Sequence, residues 1–112
     1  MVSYSDLTKL FAFDLAGKAC IEIAFAINGH PKYSACQMGK TPDKTDRRKD
    51  QYWFGLVPDG SEAYSYDNFD DFSSAPVLDG KSLKESWNCV TVLSIDGCEP
   101  EERLPFYLSF VR

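Results

Sequence analysis

Seven residues near the start of the chain restrict its fold more than any other feature. Ile21, Ile23, Phe25 and Ile27 alternate with Glu22, Ala24 and Ala26, and the run stops at Asn28-Gly29. A period of two puts the four large side chains on one face of an extended strand. That face must be buried, and Asn-Gly is the strongest short signal for chain reversal. The segment predicts a half-buried strand, a turn lengthened by His30-Pro31, and an antiparallel return over 33–38. The second face of the strand is small and partly polar, suited to light cover or to water.

The rest of the chain supplies partners for such a strand. Leu7, Leu10, Phe11 and Leu15 share one helical face, with Ser5 placed to cap the start and Gly17 to stop it, which predicts a helix over 5–16. Residues 52–57 are a short aromatic run that reads as a central strand, and Pro58-Asp59-Gly60 is a turn. A further strand is expected over 62–66, with Tyr64 and Tyr66 on one face. Asp67 is expected to cap a short helix bearing Phe69 and Phe72. Ser82 and Glu85 fit a capping box that starts a second short helix, with Leu83 and Trp87 on one side. Residues 89–95 are rich in β-branched types and are expected as a strand closed by Asp96-Gly97. Leu104, Phe106, Leu108 and Phe110 alternate, which predicts a last strand, at an edge because of Pro105. By contrast 39–50 holds no large apolar residue and is expected to be an exposed, mobile loop.

These elements add up to an α+β fold: one domain over 1–112, with an antiparallel sheet of about five or six strands. The N-terminal helix and the two short helices are expected on one face. A length of 112 residues, 44% hydrophobic, supports one core and excludes two. The net charge of −5 argues against direct binding to nucleic acid or to an anionic membrane surface. No apolar run approaches the ~20 residues needed to span a bilayer. Residues 1–6 carry no basic region, so no secretory signal is expected and the location is expected to be cytoplasmic. In that compartment Cys20, Cys36, Cys89 and Cys98 should be free thiols.

Several motifs come close to a chemistry and miss it. Gly39-Lys40-Thr41 and Gly80-Lys81-Ser82 resemble the end of a phosphate loop, but Ser34 and Ala75 stand where its first glycine belongs. Asp67-Asn68-Phe69-Asp70-Asp71 has the acids of a calcium loop, without its central glycine and with Phe69 in a ligand slot. Structural zinc would need closely spaced ligand pairs, and no Cys-x-x-Cys occurs. His30 is the only imidazole, and a dyad with Cys36 across the first hairpin is conceivable but unspecified. No catalytic, metal or cofactor-binding residue is therefore assigned and no cofactor is expected.

The distribution of charge is unusual. Between Gln51 and Gly80 there is no lysine or arginine, while Asp59, Glu62, Asp67, Asp70, Asp71 and Asp79 fall inside it. Blocks of one sign with interleaved aromatics suit docking to a basic partner. The expectation is a small acidic protein-binding module rather than an enzyme, of the kind seen in inhibitors, immunity proteins and nucleic-acid mimics. It would use Asp59, Glu62, Tyr64, Asp67, Phe69, Asp70 and Asp71 against a basic protein. The alternative is a small-ligand binder or enzyme with a pocket lined by Tyr52, Trp53, Tyr64 and Trp87.

Overall fold

The alternating run forms strand β1 (Ile21–Ile27), with its four large side chains buried and Glu22 exposed. The structure, a computed structural model, describes residues 2–12, 20–43, 45–46 and 49–109. Among these, β1 is joined by β2 (Cys36–Pro42), β3 (Asp50–Gly55), β4 (Ala63–Tyr66) and β5 (Val90–Ile95). The sheet order is β4-β3-β2-β1-β5, and every neighbouring pair is antiparallel. Helices α1 (Tyr4–Ala12), α2 (Phe69–Ser74), α3 (Leu83–Ser86) and α4 (Pro100–Leu108) complete an α+β domain.

All four helices pack on the face that bears Ile21, Ile23, Phe25 and Ile27. Leu7, Leu10 and Phe11 of α1, Phe72 of α2, Leu83 of α3 and Tyr107 of α4 are buried in one cluster with them. Phe72 stacks on Phe54 of β3 at 4.2 Å between ring centres. The opposite face is made of small residues such as Ala24, Ala26, Gly39 and Ser65, and no described helix covers it. Trp53 lies on that face directly over Gly39, its cross-strand partner.

Local chemistry explains the element boundaries. Ser3, rather than Ser5, caps α1: its Oγ accepts from the Asp6 N–H at 3.0 Å, and Asp6 Oδ2 accepts from the Ser3 N–H at 3.2 Å. Leu15 and Gly17, expected inside and after that helix, lie outside the described residues. Asn68, rather than Asp67, caps α2 by accepting from the Asp71 N–H. The capping box of Ser82 and Glu85 forms as expected. Asp79-Gly80 and Asp96-Gly97 both have positive φ at the two central positions, closing tight reversals of the mirror-image type for which Asp-Gly is favoured. The first hairpin is looser, because a 3-10 turn over Pro31–Tyr33 delays β2 until Cys36.

Two expectations about whole segments fail as well. The last strand is instead α4, started by Pro100 with Glu101 and Glu102 in its first turn. Leu104, Tyr107 and Leu108 are also spaced for a helix, and that period prevails. Tyr107 is buried while Phe106 is 45% exposed. Tyr107 Oη and Arg103 Nε both donate to Asp96 Oδ2, and Asp96 Oδ1 accepts from the Glu22 N–H at 2.9 Å. One carboxylate thus ties α4 to the β1–β5 end of the sheet. The expected polar loop is also shorter than 39–50: β2 continues to Pro42 and β3 begins at Asp50. Lys40 is only 2% exposed. Its Nζ donates to the Phe11 carbonyl at 3.0 Å and pairs with Asp50 Oδ2 at 3.3 Å.

Replacing Lys40 by Met should destabilise the fold by roughly 2–4 kcal/mol, since the shape is kept but a buried carbonyl and a carboxylate lose their cation. Urea unfolding of the purified variant measures this, and a loss under about 0.5 kcal/mol would show the ion pair to be idle. Gly39 and Gly55 give a second, internal comparison. A Cβ at Gly39 would overlap the Ile21 carbonyl and the Trp53 indole, whereas one at Gly55 meets nothing. Gly39→Ala should cost about 1–3 kcal/mol in the same assay. Gly55→Ala should be neutral or stabilising by up to about 1 kcal/mol.

Candidate functional site

The seven residues expected to form a docking surface fall into two groups separated by the length of β4, about 10 Å for four extended residues. Asp59 and Glu62 lie before the strand, in the turn from β3. Asp67, Asp70 and Asp71 lie after it, at the start of α2. Tyr64 sits between them and is 38% exposed. Phe69 does not join this surface in the same way: its ring packs against Phe11 at 5.6 Å and lies near Tyr4, Tyr52 and Phe72.

The carboxylates differ in what already holds them. Glu62 Oε2 pairs with Lys32 at 2.7 Å and Glu62 Oε1 accepts from Tyr33 Oη at 3.0 Å. The Lys32 hydrogen bond is the main cause of a Glu62 acidity stronger than usual. Lys32 lies outside the acidic segment, in a turn 30 residues earlier, so counting charge along the sequence missed it. Asp59 is likewise more acidic than usual, because Ser61 donates to it. Asp67 Oδ1 accepts from Gln51 Nε2 at 3.0 Å, and the same nitrogen donates to Asp43 Oδ2 at 2.9 Å. Hydrogen bonds, chiefly from Thr45, pull Asp43 down to about 2. Asp71 exchanges hydrogen bonds with Asn68, while both Asp70 and Asp71 remain exposed in the first turn of α2.

The main chain of β4 contributes a feature that side-chain reasoning did not find. The Leu56 N–H donates to the Glu62 carbonyl at 3.0 Å, so these two form a hydrogen-bonded pair. Alternation along the ladder then makes Phe54–Tyr64 and Tyr52–Tyr66 the next such pairs. Ala63 and Ser65 therefore turn their N–H and C=O groups away from the sheet. Both residues are exposed.

The aromatic residues of the alternative pocket do not converge. Tyr52 and Trp53 are neighbours in β3 and point to opposite faces, Tyr64 is on the edge strand, and Trp87 donates its Nε1–H to the Val2 carbonyl. The Cys36–His30 dyad does not form either. Cys36 points into the core and donates to the Leu56 carbonyl at 3.2 Å, while His30 is on the surface. A small cleft instead brings His30 beside Tyr33, Lys81, Glu85, Ser86 and Cys89. Lys40 of the first near-match to a phosphate loop is buried in β2, and Gly80-Lys81-Ser82 runs from a tight turn into the α3 cap. Among the described residues, no group of three or more His, Cys, Asp or Glu side chains is placed to hold a metal ion. No described helix is long and apolar enough to cross a membrane. Comparison with protein-family models, curated proteins and solved structures returned no match for this chain.

The thiols separate by environment. Cys20, Cys89 and Cys98 are exposed, and burial pushes Cys36 up to about 11. Brief alkylation of the native protein at pH 8 should label the first three and spare Cys36 until urea is added. Burial and the Asp96 contact likewise push Tyr107 up to about 12. An unfolded thiol releases its proton near pH 9 and an unfolded tyrosine near pH 10, so above those values the folded chain binds more protons than the unfolded one. Stability should therefore fall as pH rises from about 9 toward 11. The fall, followed by urea midpoints, should be shallower in Tyr107→Phe.

Proposed function

We propose that this chain is a small, non-catalytic protein-binding domain of the cytoplasm, which docks a basic partner on the side of the molecule built from β4 and the start of α2. The observation that carries the reading is a set of exposed carboxylates, Asp59, Asp67, Asp70 and Asp71, around an exposed tyrosine, in a segment without a single lysine or arginine. Local structure uses some of these acids. Asn68 already caps α2, so Asp67 is not needed there, and two acids in one helical turn exceed what the dipole requires. Like charges held together raise the energy of the isolated domain slightly, and a cationic surface relieves that repulsion. Such a surface acts mainly by speeding encounter and rejecting acidic competitors.

The test is the double variant Asp70→Lys/Asp71→Lys, which leaves Glu62 and its Lys32 pair intact. The wild-type chain, immobilised, should retain a basic protein at about 0.05 M salt and lose it as salt approaches about 0.5 M, where screening is within a few ångströms. The double variant should associate with that protein roughly tenfold more slowly while keeping its circular dichroism spectrum. Equal rates and equal salt dependence for the two proteins would reduce the acidic run to solvation.

A further inference from the structure

We propose that the partner docks as an added β-strand: an extended segment with arginine or lysine at alternate positions pairs with the outward main-chain groups of Ala63 and Ser65. This inference rests on the basic-partner reading above and specifies how that surface is used.

The two edges of the sheet are not equivalent. At β5 the register with β1 shifts between Ala24 and Phe25, so that Leu93 bulges out of the ladder and is 48% exposed. Helix α4 also packs on β5. A bulge and a neighbouring helix are ordinary protections against strand addition. The β4 edge has no bulge, and α2 packs beside it on the helix face only, Phe72 against Tyr66. It contains no proline and no lysine, its register with β3 is continuous, and its outward residues Ala63 and Ser65 are small and exposed. Neither outward main-chain unit is engaged by a described residue.

The side chains around that edge select the occupant. A strand added to β4 points alternate side chains to the two faces of the sheet. On the open face, Ser65 borders a groove that Trp53, Gln51 and Asp43 also line. A guanidinium or ammonium reaching across the small Ser65 would meet an indole face and a carboxylate, which suits a cation and no other charge. On the helix side stand the exposed Tyr64 ring and, beyond it, Asp70 and Asp71 of α2. Asp59 and Asp67 flank the two ends of the strand. A second copy of this chain paired edge to edge would bring these carboxylates against their own kind, so the charge selects a basic segment over self-association.

The probe is a blocked octapeptide of alternating arginine and valine, added at low salt to the full-length, isotope-labelled chain. Binding should slow amide exchange at Ala63 and Ser65 and leave Tyr64, already paired with Phe54, unchanged. The same peptide methylated on alternate backbone nitrogens keeps its charge and loses the ladder. It should bind at least about tenfold more weakly. Ser65→Pro removes an outward N–H without touching the β3 ladder, and should weaken the unmodified peptide to a similar degree. Should that variant unfold, the methylated peptide still decides the matter on the wild-type protein. Equal binding of both peptides, with Ala63 and Ser65 exchange unchanged but binding lost in Asp70→Lys/Asp71→Lys, would overturn strand addition and leave the acidic reading standing. Failure of the octapeptide to bind at low salt, or undiminished binding by the charge-reversed variant, would overturn the basic occupant and the acidic reading together. Protection of Ala63 and Ser65 that rises with protein concentration and without peptide would assign the edge to a second copy instead.

Discussion

A lysine ammonium held almost out of water joins the first helix to the sheet. Lys40 stands on the buried face of β2, opposite Ile21 on one side and Tyr52 on the other. It satisfies the Phe11 carbonyl of α1 and the carboxylate of Asp50, the first residue of β3. The ion pair therefore ties α1 to the end of the β2–β3 ladder. Phe11, next to that carbonyl, then meets Tyr52, Phe69 and Phe72, so the aromatic cluster under α2 depends on the same placement.

This explains where reading the sequence succeeds and where it stops. The strands β1, β3, β4 and β5 were legible because apolar and polar residues alternate (β1, β4), aromatic residues cluster (β3) or β-branched residues dominate (β5). Turns were legible where Asn-Gly or Asp-Gly supplies the positive φ that few residues accept. Residues 39–42 were not, because a lysine and a proline in a run without large apolar residues look solvated when nothing indicates a carbonyl and a carboxylate waiting inside. The C-terminal helix was misread for a different reason. Leu104, Phe106 and Leu108 satisfy a period of two, while Leu104, Tyr107 and Leu108 satisfy a helical one. The partner that decides between them, Asp96, is brought in from a turn by tertiary structure.

The candidate surface shows the same limit. Its acids and its tyrosine were visible as a compositional anomaly, but the sequence could not separate carboxylates already engaged from those left to solvent. Glu62 is neutralised by Lys32 from another hairpin, and Asp67 shares the Gln51 amide with Asp43. Asp79 serves a tight turn, in which its φ is positive. What remains outermost is Asp59, Asp70 and Asp71, close to the sheet edge whose register carries no bulge. That edge belongs to hydrogen-bond register, a property of paired strands that no single residue announces.

Neither feature suffices for recognition without the other. Two outward residues offer about four main-chain hydrogen bonds, each worth roughly 0.5–1.5 kcal/mol net, for a total of about 2–6 kcal/mol. Lost translational and rotational freedom alone costs an estimated 4–15 kcal/mol, so a bare four-residue edge binds nothing firmly. Exposed carboxylates alone give fast encounter with any cation and hold none of them in place. Placed around an unpaired edge, they concentrate a basic chain where ladder bonds can form, and each ladder bond fixes the cationic side chains against Trp53 and the acids for the next. The short strand also limits self-pairing, because two identical edges gain the same few bonds while their carboxylates repel. An edge that is open, short and ringed with one sign of charge therefore discriminates by charge first and by backbone geometry second.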